Sequence, residues 1–144
     1  MLRKWTVLAL SMCAVAGALT GLSVAAQDPS LEKIMEKVNS KNLVITKATR
    51  TKVAFAKDQA KIADAAKELV KLGKESRSFK DPAEKQKKSQ DDWTKMVDDF
   101  VTKSEALVEV TGKSGFTLEQ AKKSHTAVKA SCTNCHEIFK TDEK

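Results

Sequence analysis

Along four stretches of this sequence, apolar residues return every three or four positions, and proline and glycine hardly interrupt them. After residue 26 the only such residues are Pro29, Gly73, Pro82, Gly112 and Gly115. They cut the chain into helix-sized pieces. No segment alternates apolar and polar side chains cleanly, so strands have no pattern to grow from. Asp28-Pro29 suits an N-cap followed by a first helical position. Leu31, Ile34, Met35, Val38, Asn42 and Ile45 then recur at helical spacing. A break is expected in the polar, basic patch from Lys47 to Lys52. A second helix reads from about Asp58 to Leu72, with Ile62, Ala65, Ala66, Leu69 and Leu72 as its stripe, and it stops at Gly73. The charged run from Lys74 to Lys88 holds Pro82 and reads as the longest loop. Ser89 opens a third helix with Asp91 and Asp92 in its first turn, where negative charge is favoured. Its stripe is Trp93, Met96, Val97, Phe100, Leu107 and Val110, and it ends near Gly112-Lys113-Ser114-Gly115. Thr117-Leu-Glu-Gln120 is a capping-box pattern for the fourth helix, which carries Ala121, Val128, Cys132, Cys135, His136 and Phe139 along one side. The fold class expected is all-α, an antiparallel four-helix bundle.

The chain has 144 residues, which points to one domain. It opens with Arg3-Lys4, runs apolar from Trp5 to Leu22 and ends that run in Ser23-Val24-Ala25-Ala26. A charged start, apolar middle and small-residue end read as a secretory signal peptide over residues 1–26, leaving a domain of residues 27–144. The rival reading is an uncleaved membrane anchor, which Gly17, Gly21 and the small-residue ending disfavour. Cys13 lies inside the leader, and Met12 before it is too large for a lipoprotein cleavage site. The product is expected to be exported, soluble and periplasmic. Loss of Arg3 and Lys4 leaves it basic, which suits an acidic partner or serves only to keep a helical protein in solution.

One motif carries chemistry. Cys132-Thr133-Asn134-Cys135-His136 is C-x-x-C-H, the pattern of c-type haem attachment. Two thiols at this spacing can each add to one porphyrin vinyl group. The following histidine then points its imidazole at the iron from the same side. The expectation is one covalent haem c on the C-terminal helix, held at Cys132 and Cys135 with His136 as proximal iron ligand. Three other readings of the cysteines compete. A disulfide would close a loop too short to constrain much and would leave His136 without a role. A structural zinc site wants four ligands, and the other histidine, His125, lies roughly 10 Å along the helix axis from Cys132. A thioredoxin-like pair would follow a strand and open a helix, whereas this one lies near a helix end.

His125 is also about 16 Å along a shared axis from His136, too far to ligate the same iron, and reads as a partly exposed helix residue. For the distal face of the iron only Met35 and Met96 remain as thioether candidates after the leader. A methionine on an apolar stripe is more often core filler than a ligand, so the residues alone leave that face open.

The arrangement resembles the class II cytochromes c, the cytochrome c-prime family. The resemblance covers essentially the whole of residues 27–144. It rests on Cys132-Thr-Asn-Cys135-His136-Glu-Ile-Phe-Lys140 near the end and on Asp91-Asp-Trp93-Thr-Lys-Met-Val-Asp-Asp-Phe100 in the third helix. It implies a four-helix bundle with the haem on the last helix. In typical members an apolar first-helix residue covers a five-coordinate iron that binds small gases. The cytochrome c-556 group places a methionine there and carries electrons. Alignment on that pattern brings Met35 to the distal position. Leu31 and Lys140 stand where c-prime members usually carry arginine, and lysine keeps the charge without the planar fork.

The function expected is that of a one-electron carrier with iron held by His136 and Met35, the alternative being a gas-binding protein that takes up NO or CO at an open distal site. The resemblance also implies a redox partner protein and a homodimer through the first two helices, where Ala48, Ala54, Ala56, Ala60, Ala63, Ala65 and Ala66 would permit close packing. No catalytic constellation and no Gly-rich phosphate loop is present, so an enzyme is not expected. The basic residues lack interleaved aromatics and the chain has no tyrosine, which disfavours nucleic-acid binding.

Overall fold

The structure, a computed structural model, describes residues 30–140. The expected signal peptide, Cys13 and the Asp28-Pro29 helix start lie outside the described residues. Within them the chain is all-helical: α1 (Leu31–Ala48), α2 (Lys52–Ser76), a short α3 (Asp81–Lys85), α4 (Gln90–Thr111) and α5 (Leu118–Phe139). No described helix is long and apolar enough to cross a membrane.

Local chemistry sets the ends. Ser30 caps α1 through the Lys33 amide, so the helix begins at Leu31, two residues beyond the start expected from Asp28-Pro29. Thr49 turns its hydroxyl back onto the Ile45 carbonyl at 2.8 Å, and Thr51 then caps α2 through the Ala54 amide. The expected break between Lys47 and Lys52 falls here. Helix α2 therefore starts at Lys52 rather than near Asp58, and Asp58 instead marks a kink with φ −114° and ψ 19°. Gly73 does not end it either, because α2 continues to Ser76. Pro82 sits at the start of α3, within the stretch expected to be loop. Both capping boxes form: Ser89 with Asp92 on α4, and Thr117 with Gln120 on α5.

The four long helices pack in the order α1–α2–α4–α5. Ile34, Val38, Ile45, Ile62, Leu69, Leu107 and Val128 lie at the centre. Ala48, Ala65 and Ala66 are buried in this core, so they are not available to an interface between copies, whereas Ala56 and Ala60 are exposed. Two aromatic pairs close the ends. At one, Phe55 meets Phe116 edge to face at 5.3 Å. At the other, Trp93 meets Phe139 at 5.3 Å, while its indole Nε1 donates to the Ser76 carbonyl at 3.1 Å. That hydrogen bond satisfies the one polar atom of a buried ring. Together the contacts pin α4 to the last turns of α2 and α5.

Between α1 and α5 the ring is looser. Three seams, α1–α2, α2–α4 and α4–α5, have close backbone approach along their length, and the α1–α5 seam does not.

Candidate functional site at the α1–α5 seam

Helix α5 runs without interruption from Leu118 through His136 to Phe139, so Cys132, Cys135 and His136 are held in helical register. The Trp93–Phe139 contact anchors the same turns. Cys132 and Cys135 are half-buried against the core and His136 is exposed. All three thus lie at the edge of the bundle, where a planar group could reach them.

Asn42 of α1 stands across from them. Its Oδ1 lies 3.0 Å from His125 Nε2, and the same side chain reaches the Cys132 thiol. His125 is 3 % exposed, which corrects the expectation of a partly exposed residue. It is on the inner face of α5, two turns before Cys132 on the same stripe, and a polar partner on α1 compensates its burial. Asn42 was read from the sequence only as a member of a helical stripe. Its spacing gave no sign of a partner on α5.

These contacts set the register of the two helices. Asn42 lies level with the span from His125 to Cys132, and Thr46 to Arg50 share a recess with Lys122 to Lys129, so the helices run in opposite directions. Two turns back from Asn42, about 10 Å along α1, comes Met35 on the same face. The same step forward on α5 leads to Cys135 and His136. Met35 is half-buried against the core at that level. Met96, the other thioether, is half-buried on α4.

The thiols are not activated. Burial raises the Cys132 pKa, and Asn42 offsets this only in part. Burial and the neighbouring Cys132 push Cys135 up to about 11. Both are free thiols at the C-terminal end of a helix. A thioredoxin-like pair needs the reverse, a thiolate stabilised at a helix N-terminus. Among the described residues no group of three or more His, Cys, Asp or Glu side chains converges as metal ligands would. For a porphyrin the requirement is different: two thiols at this spacing with one imidazole beside them, and Cys132, Cys135 and His136 supply those donors at the partly exposed edge of α5. Loss of hydration and then the Lys140 charge lower the pKa of His136, so at neutral pH its imidazole is neutral and keeps a lone pair for a metal.

No family model matches the chain, and neither a curated protein nor a solved structure gives a significant match.

Proposed function

We propose that this chain is an exported c-type cytochrome of the class II kind, an antiparallel four-helix bundle that carries a single haem and transfers one electron at a time. The observation that supports it most is at the open seam: Cys132-x-x-Cys135-His136 in helical register on α5, faced by α1 through Asn42, with Met35 two turns from Asn42 on the same side of α1. Cys132 and Cys135 would hold the haem through thioether bonds, and His136 and Met35 would ligate its iron. The bound haem supplies an Fe(II)/Fe(III) couple whose potential methionine–histidine ligation raises. The protein residues do the rest. The Trp93–Phe139 pair fixes the helix that bears the attachment site, and Met35 and the neighbouring core exclude water from the inner face. The lysine-rich surface would suit a redox partner with an acidic face.

The test is the visible spectrum of reduced protein made in a host that matures c-type cytochromes, recorded before and after carbon monoxide. Sharp low-spin bands that the gas leaves unchanged are expected. Met35→Ala should convert them to high-spin bands that shift with the gas. A colourless product from such a host would end the haem reading. A high-spin spectrum in the parent chain would remove Met35 as ligand.

A further inference from the structure

Further along the same seam, away from the cysteines, α1 and α5 flank an open recess of about 560 Å³. That falls within the range of about 300–1,000 Å³ typical of small-molecule sites. Its wall carries four cationic side chains, Lys47 and Arg50 from α1 with Lys122 and Lys129 from α5, and, among the described residues, no carboxylate. All four are exposed at the rim, while Thr49 and His125 are buried beneath them. None of the four joins an ion pair among the described residues. The fold thus gathers like charge from two helices around a recess, and no described carboxylate pairs with it.

The field reaches the floor of the recess. Burial first, and then the charge of Lys129, bring the pKa of His125 down to about 4. Like charges held together cost free energy, and a bound anion returns it through charge-assisted hydrogen bonds. Thr46 and Thr126 add hydroxyl groups to the same lining.

We infer that this recess binds a small, multiply charged oxyanion of the phosphate or polycarboxylate type, gripped between Lys47 and Arg50 on α1 and Lys122 and Lys129 on α5. The cations come from both helices that flank the recess, so a compact ligand seated in it can reach α1 and α5 at once. The inference is independent of haem attachment, because none of these residues belongs to the attachment motif.

The experiment is isothermal titration of the full chain, prepared in the haem-competent host, with inorganic pyrophosphate and separately with citrate at low salt. One saturable site is expected, with affinity falling as salt rises. The double variant Lys122→Gln with Lys129→Gln should bind at least about tenfold more weakly, since it loses two charge-assisted contacts. Arg50→Gln should weaken binding from the opposite wall. Lys57→Gln with Lys95→Gln, which changes exposed lysines elsewhere, should leave it unchanged. Circular dichroism of each variant confirms that the helices persist. No saturable binding by either anion in the millimolar range would overturn the inference. So would equal losses in the recess and control variants. Binding of an oligoglutamate peptide, with neither small anion bound, would also overturn it and make the face a protein-docking surface.

Discussion

Protonation of His125 works against the fold. This residue is 3 % exposed, its Nε2 meets Asn42 Oδ1 at 3.0 Å, and cations from both flanking helices, Lys47, Arg50, Lys122 and Lys129, face its recess. Folded, it takes a proton only near pH 4, against 6.5 for an ordinary histidine. Between those values the unfolded chain binds the proton and the folded chain does not. The contribution is therefore fully present above pH 6.5 and is lost as pH falls toward 4, a change of roughly 1–3 kcal/mol. Urea unfolding of the parent chain and of His125→Gln at pH 7 and pH 4.5 checks it. The parent should lose more stability on acidification than the variant, and equal losses would show that His125 is not the sensitive group. The sequence placed this residue on α5 but not its burial. Seven positions before Cys132 is a helical repeat, yet only Asn42, 83 residues away in the chain, makes an inward histidine tolerable. Cys132-x-x-Cys135-His136 differs in kind, because its residues are adjacent and the pattern can be seen without the fold.

At the scale of the helix the legible signals were the local ones. Ser89 with Asp92 and Thr117 with Gln120 announce helix starts because each box closes within one turn. The stripe from Ile62 to Leu72 is buried throughout, since its periodicity is the cause of its burial. Gly73 misled for a reason that can be measured. Glycine is a common helix stop, but here it lets α2 and α4 approach: a Cβ at this position would lie 2.7 Å from Val101 Cγ2 and 2.8 Å from Phe100 Cδ1. Alanine would gain about 1 kcal/mol of helix propensity, and forced overpacking typically costs about 1–3 kcal/mol. Those neighbours are buried and cannot swing away into solvent. Gly73→Ala should therefore lower stability by up to about 2 kcal/mol, seen as a lower melting temperature. An unchanged or raised melting temperature would mean that α2 and α4 separate freely. The early start of α2 was hidden because between Lys52 and Asp58 only Phe55 is buried, too little to show a period.

On the scale of the whole molecule, three seams are closed by side-chain packing and the fourth is not. Helix α1 packs along α2 and meets α5 chiefly through a polar contact, Asn42 with His125 and Cys132. A hydrogen bond of this kind contributes only about 1 kcal/mol net, so α1 has fewer means of attachment than α2 or α4, each of which packs along two long helices. Segments with few buried contacts open first. A haem bonded to Cys132 and Cys135 and ligated by Met35 would tie α5 to α1 and close the ring. Backbone hydrogen exchange can read this out. In Cys132→Ala/Cys135→Ala chain, α1 should exchange well before α2 and α4. In the haem-loaded parent, protection of α1 should rise toward theirs, and Met35→Ala should remove much of that gain while leaving α2 and α4 as they were. If α1 is as protected as α2 without the thiols, the seam is not the weak joint of this bundle. If haem protects α1 equally with and without Met35, closure comes from packing against the porphyrin and not from an axial bond.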